Sequence, residues 1–126
     1  MSRGAGAPDP RLRQGVADFN AGAFYEAHER FEELWNDTEG TPRRLCQALL
    51  QLAAGYHKLE LGVPGGAVKL LGRALGILDD LPAGALPTEM AGVCEAVRRH
   101  LASLRTTPGA PIDPPRLTLV DLPEER

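Results

Sequence analysis

An all-α fold of about five helices is predicted by three features of this 126-residue chain. Apolar residues recur at three- and four-residue spacing over most of its length. Short stretches rich in glycine and proline separate those runs, as helix ends and turns require. An alternating pattern appears only at residues 117–120, beyond prolines that preclude a regular helix.

The first helix is predicted over residues 11–21, with Pro10 suited to its opening turn and Leu12, Val16 and Phe19 turned inward. A turn at Gly22 leads to a second helix over 24–37. Thr41-Pro42 then reads as an N-cap and first-turn proline for a third helix reaching residue 61. Its apolar residues form two adjacent stripes, Leu45, Leu49, Leu52, Tyr56 and Leu59 beside Cys46, Leu50, Ala53 and Leu61, so it is expected at the centre. Gly62-Val63-Pro64-Gly65 breaks the chain, and a fourth helix to residue 81 presents Ala67, Leu71, Ala74, Leu75 and Leu78. Gly72 and Gly76, one turn apart on it, would admit a close neighbour, either the fifth helix or a second subunit in a homo-oligomer. The fifth helix, over 88–105, buries Met90, Val93, Cys94, Val97, Leu101 and Leu104. The domain thus covers 10–106, between a flexible N-terminus at 1–9 and an extended Pro-rich tail at 107–126, where Leu117, Leu119 and Val120 strap the surface or belong to a linker.

Composition narrows the partners. A chain with 43% hydrophobic and 25% charged residues is globular, and with 5% aromatics its core is mostly Leu, Ala and Val. Fourteen Lys and Arg against seventeen Asp and Glu, with no dense basic run, argue against nucleic acid. Residues 1–10 lack the apolar stretch of a signal peptide, and Gln47, Gln51, His57, Lys58 and Glu60 interrupt the most apolar segment. Neither export nor a membrane span is indicated, so Cys46 and Cys94 read as reduced core residues of a cytoplasmic protein.

Shifting the chain by forty residues superimposes Leu12 on Leu52, Gly15 on Gly55, Gly22 on Gly62, Ala27 on Ala67, Phe31 on Leu71 and Trp35 on Leu75. Two antiparallel helical hairpins follow. Their small-residue spacing resembles a tetratricopeptide hairpin, a repeat of about 34 residues that needs about three copies for stability.

Chemistry concentrates on the second helix. Phe24, His28, Phe31, Glu32 and Trp35 fall on one stripe, which places a histidine and a carboxylate among three aromatics facing the core. Burying such groups costs free energy unless each finds a partner. Three accounts are open. His28 and Glu32 can ligate a divalent cation such as zinc, with His57 as a candidate third ligand; His28-Glu29-Arg30-Phe31-Glu32 reads HExxE, one position away from the zincin HExxH. An antiparallel pairing of helices two and three nevertheless puts His57 roughly 10 Å along the axis, while Gln47 and Gln51 are better placed. Alternatively His28, Glu32, Gln47 and Gln51 hold a small polar molecule against Trp35, where acid–base chemistry is conceivable. No nucleophile motif accompanies them, so enzymatic activity is left open. The third account is a buried hydrogen-bond network that fixes helix register.

These residues resemble an uncharacterised bacterial and archaeal family, domain of unknown function 309, whose hallmark is HxxxExx followed by Trp or Tyr. Here that is His28, Glu32 and Trp35. Residues 19–29, the stretch Gln47-Ala48-Leu49-Leu50-Gln51-Leu52-Ala53, His57 and Gly65-Gly66-Ala67 share the family pattern, while Gly62-Val63-Pro64 departs from its usual Gly-Asn. The resemblance covers residues 14–80. It implies a compact helical fold and a metal-binding or other functional role for His28 and Glu32, without an established activity.

The remaining polar residues are read as ordinary. His100 is expected exposed near a helix C-terminus, Tyr56 in the core with a satisfied hydroxyl, and Arg43-Arg44 as a solvated first-turn pair. The sequence therefore predicts binding of a small polar ligand or metal at His28, Glu32 and Gln51. Hydrolase-like activity would extend that reading; a tetratricopeptide-like scaffold is the alternative.

Overall fold

Asp9 opens the first helix: its carboxylate accepts from the Arg11 amide at 2.8 Å, and Pro10 fills the first helical position, where a missing N–H costs nothing. The computed structural model describes residues 9–123, so of the N-terminal segment expected to be flexible all but Asp9 lies outside the described residues. Five helices follow, α1 (Pro10–Asn20), α2 (Phe24–Asn36), α3 (Gly40–Glu60), α4 (Pro64–Asp79) and α5 (Met90–Thr106), with no strand among the described residues. The third helix starts one residue before the expected Thr41 cap, with Glu39 extended at the N-cap. The N-cap thus falls two residues before the expected one, a difference that is ordinary at helix ends.

The forty-residue repeat is present in the backbone. At the first turn Gly22 has φ 82°, the Ala23 amide donates to the Asp18 carbonyl at 2.8 Å and the Gly22 amide to the Phe19 carbonyl at 3.0 Å. At the second, Gly62 has φ 74°, the Val63 amide donates to the Lys58 carbonyl at 2.9 Å and the Gly62 amide to the Leu59 carbonyl at 3.0 Å. Both are Schellman closures, in which a left-handed glycine lets the last helical carbonyls find donors. Inside each hairpin a glycine admits the opposite helix. A Cβ on Gly15 would lie 2.5 Å from the Phe31 ring, and one on Gly55 2.7 Å from the Leu71 side chain.

Helices α1 to α4 run antiparallel in succession. Arg11 at the start of α1 pairs with Asp37 after α2, and Arg44 near the start of α3 reaches Asp80 after α4 at 2.9 Å. Between them lies one core, in which Leu12, Phe19, Phe31, Leu45, Leu49, Leu52 and Leu71 are fully buried. No residue from Thr41 to Leu59 is fully exposed, so α3 is central as its two stripes predict. The exception is Leu61, placed by periodicity in a buried stripe but 58% exposed, because the helix has already ended at Glu60.

The fifth helix buries the six residues that its period predicts and is pinned to α3 by a polar contact. The Tyr56 hydroxyl and His100 Nδ1 are hydrogen-bonded at 2.7 Å. His100 is therefore half-buried rather than exposed, since its ring lies edge-on to Tyr56 at 5.7 Å. No neighbouring element among the described residues approaches Gly72 or Gly76, where a Cβ would meet no atom within 4 Å. Both cysteines are buried and free, and burial pushes the Cys46 thiol up to about 11. Beyond α5 the tail is a strap: Leu117 and Leu119 are 1% and 2% exposed. Asn20 holds it with a two-way clamp, its amide donating to the Leu117 carbonyl and accepting from the Leu117 amide, each at 2.8 Å.

Candidate functional site

The inward stripe of α2 is Phe24, Ala27, Phe31 and Leu34. His28, Glu32 and Trp35 each follow one of these core residues and so are rotated by about 100° from it. The stripe expected to carry His28 and Glu32 inward is thus corrected: His28 and Trp35 are half-buried, Glu32 is exposed, and no polar or charged residue is fully buried among those described. Phe24 and Phe31 belong to both stripes. The core takes the side completed by Ala27 and Leu34, because burying an imidazole and a carboxylate there would strip their hydration.

What the displaced stripe does is line a face shared with α3. Tyr25, His28, Glu32 and Trp35 are spaced three, four and three apart, which keeps them on one flank. Both ends of that flank touch α3. The Arg43 guanidinium stacks 4.3 Å from the Trp35 ring centre, and the Tyr25 and His57 rings are 5.9 Å apart. Between these contacts Glu32 comes opposite Gln47, and His28 opposite the turn at 50–54. His57 therefore stands about one turn from His28 and about 15 Å along the axis from Glu32. Arg43 is a stacked cation rather than a solvated one, and neither it nor Tyr25 was among the residues assigned to the site from sequence. Tyr25 was signalled by the three-residue spacing that extends the flank back from His28, whereas Arg43, on another helix, had no local signal.

Gln51 lies on the adjoining flank of α3. Seven residues on either side of it, Arg44 reaches Asp80, and Lys58 lies against Gly66, both contacts being with the α4 hairpin arm. Its Oε1 is fully sheltered and has no hydrogen-bond partner. The face thus gathers His28, Glu32, Trp35 and Gln47, with His57 at one end and Gln51 turned toward α4.

Polar bonding on this face is confined to its end. Glu29, as hydrogen-bond acceptor, pushes the Tyr25 phenol up, and His57 Nδ1 lies 3.3 Å from Glu60 Oε1. The side chains of His28, Glu32 and Gln47 enter none of the hydrogen bonds or ion pairs among the described residues. The buried His–Glu–Gln network considered from sequence is not formed.

Metal ligation meets a limit in the donor set. His28 and Glu32, one turn apart, supply two donors, whereas zinc sites use three or four protein ligands. His57 is turned to Glu60 and Tyr25, and among the described residues no group of three His, Cys, Asp or Glu side chains is gathered to hold a metal ion.

The fold and this face define a class of small helical-hairpin proteins with an HxxxExxW flank. Residues 12–70 match the family described as domain of unknown function (DUF309). The chain is also similar to the conserved hypothetical protein TTHA0068 from Thermus thermophilus, whose crystal structure superimposes with a TM-score of 0.60 at 32% identity over 74% of this chain and 97% of that one. This protein belongs to the DUF309 family. No functionally curated protein matches it. Among the described residues no helix is long and apolar enough to cross a membrane.

Proposed function

We propose that the α2–α3 face binds a small polar ligand, with His28 and Glu32 as its polar contacts, Trp35 as an apolar wall and Gln47 opposite. One observation carries this reading: His28 and Glu32 stand one turn apart beside an aromatic wall, and among the described residues neither side chain enters a hydrogen bond or ion pair. Groups engaged in holding helices together have partners. The sheltered, unpartnered Oε1 of Gln51 adds an acceptor that a donor entering from the α4 side can satisfy. A divalent cation is a narrower form of the same proposal, with His28 and Glu32 as two ligands and the remaining positions filled by ligand or water. Acid–base chemistry by a histidine next to a carboxylate would extend it.

The duplicated hairpin favours a second reading, a tetratricopeptide-like scaffold that presents a helical face to another protein. The polar residues separate the two. Positions forty residues after His28, Glu32 and Trp35 are Val68, Gly72 and Leu75, so the second hairpin keeps the packing residues without the polar flank.

Native mass spectrometry and elemental analysis of the untagged protein, compared with His28→Ala and Glu32→Gln, test the proposal. The expected outcome is a bound molecule or ion on the parent protein that both variants lose, with stability changed by less than about 0.5 kcal/mol, as for an exposed residue without partners. A loss of about 3 kcal/mol in Glu32→Gln would instead mark a structural group. Equal binding by all three proteins would move the function to the scaffold reading.

A further inference from the structure

Helix α4 brings a further charged group to the α2–α3 face. Lys58 on α3 lies against Gly66 on α4, and Arg44 reaches Asp80 just beyond the end of α4. Seven residues make about two helical turns and return to the same side of a helix. Stepping by seven from either contact, in opposite directions along the two antiparallel helices, therefore leads to the same pair, Gln51 opposite Arg73. From the other wall His28 comes opposite the same turn of α3. Gln51 is thus a floor position with a histidine on one side and an arginine on the other.

Two of these groups lack the partners that their chemistry requires. Gln51 Oε1 is sheltered from solvent without a donor, and exposed Arg73 enters none of the hydrogen bonds or ion pairs among the described residues. A guanidinium carries five N–H donors in a planar fork, enough to serve Gln51 Oε1 and both oxygens of a carboxylate together. Leaving water for one neutral acceptor gains Arg73 little, whereas a carboxylate beside it offsets the desolvation. Glu32, of opposite sign and equally without a partner, stands at the level of Gln47. The two charges are therefore about 6 Å apart along the axis.

Resting on the ligand-binding reading of this face, we propose that its ligand is a small zwitterion. Its carboxylate is held between Arg73 and His28 over Gln51, and its ammonium by the Glu32 carboxylate. Each charged end gains a charge-assisted hydrogen bond. An anion alone would meet Glu32 as repulsion, and a cation alone would meet Arg73. The axial offset of the two charges suits head groups separated by a short alkyl chain, as in 4-aminobutyrate, better than the adjacent head groups of glycine.

The test is NMR on the full chain, following the indole N–H of Trp35, its one tryptophan, and the Gln51 side-chain amide during titration with 4-aminobutyrate, butyrate and butylamine. The expected order puts 4-aminobutyrate ahead of both singly charged probes, in the millimolar range of a fragment-sized ligand. Arg73→Gln weakens 4-aminobutyrate and butyrate about three- to fivefold, the range of a solvent-exposed ion pair, and leaves butylamine unchanged. Glu32→Gln weakens 4-aminobutyrate and butylamine by the same factor and spares butyrate. Both substitutions are at exposed residues without partners, so an unchanged urea midpoint shows that the variants fold as the parent does. Binding of 4-aminobutyrate that His28→Ala weakens and Arg73→Gln does not would overturn the zwitterion and leave the α2–α3 ligand site standing. Butyrate or butylamine binding as tightly as 4-aminobutyrate would also overturn it. So would absence of shifts at Trp35 and Gln51 up to about 10 mM 4-aminobutyrate, an outcome that leaves the ligand-binding reading to the molecule or ion carried by the purified protein.

Discussion

At Gly15 and Gly55 one methyl group decides whether two helices can touch. Alanine is the better helix former by about 1 kcal/mol, yet a Cβ at either position would meet the Phe31 ring or the Leu71 side chain at 2.5 and 2.7 Å. Gly15→Ala and Gly55→Ala are therefore expected to lose about 1–3 kcal/mol in urea denaturation, the usual cost of overpacking. Gly72→Ala, with nothing near its Cβ, is expected to gain up to about 1 kcal/mol. Equal effects at all three positions would mean that propensity, not the close approach, governs them. The glycine pairs were legible in the sequence because each residue has one conspicuous property, the lack of a side chain, and the chain states it twice at the same spacing. Which way His28 and Glu32 face was not legible to the same degree. Phe24 and Phe31 serve two stripes equally, and only the competition between Ala27 and His28, and between Leu34 and Trp35, for the interior decides between them.

At the scale of an element, the tail is the instructive case. Periodicity shows that residues 108–123 cannot form a helix, and proline content left strap and linker equally open. The deciding contact is the Asn20 clamp on Leu117, between residues 97 positions apart, which no local pattern announces. The two aliphatic side chains it seats, Leu117 and Leu119, alternate as a strand would, and the alternation reports one buried face without a sheet partner. Asn20→Ala removes both hydrogen bonds while leaving the leucines intact. Its expected cost is about 1–3 kcal/mol, and amide exchange should accelerate at Leu117 far more than in α3. Uniform acceleration through the helices would show that the strap and the bundle open as one unit. Helix α5 gives the converse lesson. Its six inward residues were legible from spacing, whereas the partner of His100 was not, because Tyr56 is on another helix.

For the molecule as a whole, that Tyr56–His100 contact links acidity to stability. Burial holds the His100 imidazole below its ordinary value of 6.5; neighbouring Arg99 adds to the effect, and Asp113 in the tail opposes it. As pH falls, the unfolded chain therefore takes up the proton first. The contribution of neutral His100 is complete above 6.5 and is lost as pH drops from there through the folded-state value. Unfolding midpoints in urea should fall between about pH 7.5 and 5. His100→Asn keeps an acceptor for the Tyr56 hydroxyl and removes the titration, so its midpoint should vary less over that interval. An unchanged slope would assign the acid sensitivity to other groups.

The clamp at Asn20 also sets an order of events during synthesis. Both hairpins can close from neighbouring segments as soon as residue 79 is available, but Asn20, made near the beginning, must wait for Leu117. Until the ribosome releases that stretch, the amide of Asn20 and the Phe19–Phe24–Tyr56 aromatic cluster beside it face solvent. Before that point the bundle has one uncovered side, which closes when Leu117 is drawn over a residue laid down almost a hundred peptide bonds earlier.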